Sequence, residues 1–132
     1  MTDSGKKAGC VIVAHGNVAD CMMDAIQGIL GKQTGWMTVS NRDMGLKELN
    51  ERVSAAVSEL SETHEVIIFT DMPGGSCHHA CRELAGSMEH ARLVTGLNLM
   101  MLLEFFVKRE HKSAGELLNL VIDRGRDSVR LI

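Results

Sequence analysis

Residues Glu65-Val66-Ile67-Ile68-Phe69-Thr70 form an apolar run without the alternation of a half-exposed strand. Such a strand is buried on both faces, so other elements must cover it from each side. Three further β-rich runs accompany it: Cys10-Val11-Ile12-Val13-Ala14, the weaker Trp36-Met37-Thr38-Val39, and Ala91-Arg92-Leu93-Val94-Thr95. Between them apolar residues recur at helical spacing. Met22, Met23, Ile26, Ile29 and Leu30 run from Asp20 to a C-cap at Gly31, and Leu49, Val53, Ala56, Val57 and Leu60 leave Lys47, Glu48 and Glu59 on a wet side. Further helices are expected from Ser76 to about Ala85, from Leu99 to Lys108, and from a Ser113/Glu116 capping box to about Arg124. Strands alternating with helices predict a three-layer α/β fold with a mostly parallel sheet, in the expected order 2-1-3-4. Ser128 to Ile132 alternates and is expected to add a C-terminal antiparallel edge strand.

The length of 132 residues allows one core but not two ordinary domains, so residues 9–132 are read as a single domain behind a polar tail, residues 1–8. With 45% apolar residues the chain is a folded protein. A formal charge of −3 gives no basic footprint, which argues against nucleic acid or direct membrane binding. Four cysteines would allow two disulfides, but the start, Met1 to Lys7, has no apolar signal core. The longest apolar run, Leu99 to Phe106, is interrupted by Glu104 and too short to span a bilayer. A cytoplasmic location with reduced thiols is expected.

Two of the most apolar strands end in reactive side chains, His15 and Asp71. In a sheet whose first strand lies between the second and third, these ends are neighbours at the switch point where such folds bind ligands. A histidine can act as nucleophile through one ring nitrogen when an acceptor holds the other, and Asp71 is the candidate acceptor. Alone, His15 reads more readily as a solvated loop residue, and Asp71 equally as a turn former. Gly74-Gly75-Ser76 precedes a helix start, so backbone amides and the helix dipole there suit a phosphoryl group.

The run Cys77-His78-His79-Ala80-Cys81 offers an alternative, a zinc or copper site on Cys77, His78 and Cys81. Its spacing is not a usual paired motif, and two buried thiols are favoured, with no metal and no cofactor. Met22, Met23, Met100 and Met101 are expected as core filler, and His64, His90 and His111 as surface residues. A flavin or nucleotide binder is suggested only by fold analogy, since no dinucleotide fingerprint is present and aromatic residues are few.

The segments Val11-Ile12-Val13-Ala14-His15-Gly16, Asp71-Met72-Pro73-Gly74-Gly75-Ser76 and Gly96-Leu97-Asn98-Leu99-Met100-Met101-Leu102, in this order, resemble the enzyme IIA domain of the mannose-family bacterial sugar phosphotransferase system. The resemblance spans about residues 9 to 132. It implies a phosphocarrier that accepts a phosphoryl group on His15 from the histidine phosphocarrier protein and passes it to a IIB domain or protein during sugar uptake. It further implies that Asp71 orients the imidazole and that Gly74, Gly75 and Ser76 line the phosphoryl pocket. Homodimers with the C-terminal strand exchanged between subunits are implied too, with a membrane reached only through transporter subunits. A regulatory phosphoprotein that reports the state of the system without transport would use the same histidine. The chain departs from the family pattern at Cys77 and Met100, where proline is usual, and His78 and His79 are potential competing acceptors.

Overall fold

The computed structural model describes residues 5–88 and 92–132. A parallel sheet of four strands is built from β1 (Ala8–Ala14), β2 (Trp36–Ser40), β3 (Glu65–Thr70) and β4 (Arg92–Val94), in the order β2-β1-β3-β4. Five helices join and cover them: α1 (Val18–Leu30), α2 (Leu46–Ser61), α3 (Ser76–Ser87), α4 (Leu99–Lys108) and α5 (Ala114–Asp127).

The period of two along each strand sorts the core into two layers. Cys10, Ile12, Ala14, Ile67 and Phe69 face α1, α4 and α5, and the Phe69 and Phe105 rings meet edge to face at 5.6 Å. Val11, Val13 and Ile68 face α2 and α3. All seven residues of β1 are buried, which explains why its sequence shows no alternation. Both β1 neighbours run parallel to it, with Val13 opposite Val39 on one side and Thr70 on the other. The carboxyl ends of β1, β2 and β3 therefore converge.

The expected order and layers match the structure. β1 begins at Ala8, one residue inside the expected tail, and α5 runs to Asp127, with Ser113 capping it by accepting from the Glu116 N–H. Residues 128–132 form no strand within this chain; the last hydrogen-bonded turn runs from Val129 N–H to the Arg126 carbonyl. Ala91, the expected start of the fourth strand, and His90 lie outside the described residues, as does the start of the tail, residues 1–4. Met23 and Met101 are buried, while Met22 and Met100 are half-buried. His64 departs from the surface reading. It is half-buried, its ring lies beside Gly9 and Gly35, and partial burial followed by the nearby Arg109 and Lys7 charges lowers its pKa.

Candidate functional site

β1 and β3 are paired so that their last residues deliver His15 and Asp71 to the same point. The His15 backbone N–H donates to Asp71 Oδ2 at 3.0 Å, and the His15 ring Nδ1 stands 2.9 Å from the same oxygen. The other carboxylate oxygen accepts from the Met72 N–H at 3.0 Å. Partial burial acts to raise the Asp71 pKa, but the backbone and ring hydrogen bonds from His15 and the ring's charge outweigh it and hold the carboxyl below its ordinary value. An ionised carboxylate can only accept, so in the neutral ring Nδ1 carries the proton and Nε2 keeps the lone pair.

Nε2 faces the turn that leads into α3. A Cβ on Gly75 would stand 3.0 Å from His15 Cε1 and 3.2 Å from Nε2, so only glycine leaves the ring free. Gly74 turns the chain with φ +84°, in the left-handed region that glycine enters without penalty. Gly75 is the N-cap of α3 and supplies no side-chain acceptor, so the first-turn N–H groups of α3 are free of any side-chain cap. Uncapped amides at a helix amino end, beside an imidazole lone pair, suit an incoming anion. The imidazole side chain is 38% exposed and Asp71 only 14%, so the nucleophile is open while its partner is shielded.

Three residues that sequence reasoning missed close the site from the β2 side. Ser40 Oγ donates to the Gly16 carbonyl at 2.7 Å and accepts from the Arg42 N–H at 3.1 Å. Asn41 accepts from the Gly16 N–H at 3.2 Å and donates to Ser76 Oγ at 3.4 Å, tying the His15 loop to the start of α3. The Arg42 guanidinium reaches over Gly16, with Nη2 3.3 Å from where a Cβ would lie. The available signal was positional: a loop leaving the carboxyl end of a strand next to β1 must border the switch point.

The alternative metal trio does not assemble. Among the described residues, the His, Cys, Asp or Glu group whose ligand atoms come within 4.8 Å of one another is His15, Asp71 and Cys77, without His78 or Cys81. Cys77 and Cys81 are buried in the layer shared with α2. Burial and the Asp71 charge push the Cys77 thiol up to about 11, and burial followed by the Cys77 charge pushes Cys81 up to about 12. His79 is exposed and His78 half-buried.

The family model described as EIIA-man, PTS system fructose IIA component, matches residues 9–122. The chain belongs to this family. It is 29% identical over 125 residues to the PTS system mannose-specific EIIAB component of Escherichia coli (strain K12), covering 92% of this chain and 38% of that protein. The chain thus spans about two fifths of the length of that EIIAB relative. Identity to the PTS system fructose-specific EIIA component of Bacillus subtilis (strain 168) is 27% over 110 residues, covering 83% of this chain and 75% of the relative. The crystal structure of phosphotransferase system component EIIA from Streptococcus agalactiae superposes with a TM-score of 0.84 at 23% identity, over 94% of this chain and 96% of that one. No helix among the described residues is long and apolar enough to cross a membrane.

Proposed function

We propose that this chain is a cytoplasmic phosphocarrier in which His15 accepts a phosphoryl group from the histidine phosphocarrier protein and hands it to a IIB component. The observation that carries the reading is the 2.9 Å contact of His15 Nδ1 with Asp71, which leaves the Nε2 lone pair facing the uncapped amino end of α3. In the forward step Nε2 attacks phosphorus in line, the N–P bond to the donor's histidine breaks, and its electron pair returns to the donor ring. Positive charge then develops on the His15 ring, where Asp71 stabilises it. The phosphoryl oxygens meet the α3 amides, Ser76 and the Arg42 guanidinium, so this protein supplies position and charge rather than new covalent chemistry. Transfer to the IIB acceptor reverses the same steps.

The reading extends to the fold's boundaries. Residues 9–132 act as one IIA domain, and two copies associate through residues 128–132, of which 129–132 lie exposed and Val129 borders a groove along β4. The test of the carrier role is incubation with the phosphorylated histidine phosphocarrier protein, followed by mass-spectrometric mapping of the label. His15 is expected to carry it, and undiminished labelling of His15→Ala would overturn the proposal.

A further inference from the structure

Cys77, the residue after the Gly74-Gly75-Ser76 turn, puts a sulfur beside the His15 imidazole. One ligand atom from each of His15, Asp71 and Cys77 lies within 4.8 Å of the other two. We propose that these three side chains form a site for a divalent cation of the zinc class, and that its occupancy excludes the phosphoryl group from His15. The second half of this proposal rests on the phosphocarrier reading of His15.

The donor set selects the ion. One imidazole, one carboxylate and one sulfur suit zinc, whereas magnesium and calcium demand oxygen ligands throughout. Neighbouring ligands of a tetrahedral zinc ion stand roughly 3.3 to 3.6 Å apart, from Zn–N near 2.0 Å and Zn–S near 2.3 Å. His15 Nδ1 and Asp71 Oδ2, now 2.9 Å apart, need to part slightly, and the Cys77 sulfur, within 4.8 Å of a ligand atom of each, needs to close in from the buried layer. The partly exposed imidazole leaves a path from solvent and an open fourth position for water. Cys77 is the second residue of α3, so the helix start fixes the position of its backbone beside the His15 ring. Sulfur binds the ion as thiolate, so each ion bound releases the Cys77 proton to solvent. Thiolate and carboxylate together then balance the charge of the ion.

Exclusion follows from the tautomers of the ring. A cation on Nε2 occupies the nucleophilic lone pair directly. A cation on Nδ1 displaces the proton there, so the neutral ring carries its proton on Nε2, and that nitrogen again has no lone pair for phosphorus.

The experiment has a binding arm and a transfer arm. Reduced protein carrying Cys21→Ser, which removes the exposed thiol, is titrated with Co2+ and read by the sulfur-to-cobalt charge-transfer band and tetrahedral ligand-field absorption. One ion per chain is expected, with the sulfur band lost in Cys77→Ser and affinity for Zn2+ falling at least about tenfold in Cys77→Ser and in the half-exposed His15→Gln. In the transfer arm the phosphorylation rate in Zn2+ is divided by the rate in chelator. That ratio should be about 0.1 or lower with Cys77 present and close to one in Cys77→Ser. A chain without the sulfur band, or with a band or zinc ratio indifferent to Cys77→Ser, overturns the proposal. Cobalt binding needs no phosphodonor, so the two readings separate. Labelling in chelator without a sulfur band sinks the metal site alone, while a sulfur band with no labelling under any condition sinks the carrier reading and the exclusion with it.

Discussion

Asp71 does two jobs through one oxygen, holding the His15 backbone and its ring, so removing its charge should separate chemistry from folding. Asp71→Asn keeps the shape but no longer fixes the protonated nitrogen or stabilises a cationic ring, and phosphorylation of His15 should slow by roughly 10- to 100-fold in single-turnover labelling. The same substitution carries a pH signature. The folded-state pKa of Asp71 lies below its unfolded value of about 3.9, so its contribution to stability is complete above that value and disappears as pH falls through the folded value. The stability gap between the native chain and Asp71→Asn should therefore hold above about pH 4 and shrink as pH falls below it; a gap that widens on acidification below that point would refute the assignment. The two glycines ahead of α3 make a second pair of tests. Gly75→Ala meets no backbone strain but places its Cβ against His15 Cε1 and Nε2, so labelling should fall more than about tenfold at unchanged stability. Gly74→Ala faces open space at φ +84°, and should cost about 1–2 kcal/mol of stability in denaturant titrations while labelling suffers less. His15, Asp71 and the Gly74-Gly75-Ser76 turn were legible because each sits at a strand end or helix start that local pattern reveals. Ser40, Asn41 and Arg42 were not, since a polar loop has no pattern of its own and gains a role only from the register that sets β2 beside β1.

At the level of elements, periodicity located strands and helices well where both neighbours lie within this chain. β3 begins at Glu65 and ends at Thr70 as expected, because an apolar run that long has nowhere to go but between two layers. The alternation of Ser128 to Ile132 failed as a guide to this chain's own sheet, because a strand needs a ladder partner and these residues pair with no strand of their own chain. Contact between α4 and α5 depends on a residue that sequence patterns would mark as a weakness. Gly125 is buried inside α5, and a Cβ there would overlap Met101 Cγ and stand 2.9 Å from its Sδ. In an open helix Gly→Ala gains roughly 1 kcal/mol, whereas overpacking costs about 1–3 kcal/mol. Gly125→Ala should therefore lower unfolding stability by about 1–2 kcal/mol, and in a Met101→Ala background its effect should change sign. Destabilisation of equal size in both backgrounds would show that the close approach of α4 is not the cause.

At the scale of the whole molecule, an exposed apolar segment and an open sheet edge stand out among the described residues. Val129 is 80% exposed and Leu131 and Ile132 fully so, while β4, an outer strand, offers half-buried Leu93 and Val94 beside a groove of about 410 Å³ lined also by Met101 and Ile122. An open strand edge next to an apolar groove is an invitation to another strand, and an apolar tail of alternating pattern is such a strand. Exchange of residues 128–132 between two copies would satisfy both features at once, and because each subunit donates and receives, the contact closes on itself. Burial of three aliphatic side chains per subunit is worth about 1.5–3 kcal/mol each before ordering costs. Sedimentation equilibrium should therefore show a dimer in the micromolar range, and removal of residues 128–132 should weaken association by at least about a hundredfold. His15 lies at the carboxyl end of β1, outside the exchanged segment, so the truncated chain should still take label. A dimer that survives truncation unchanged would place the contact elsewhere on the surface.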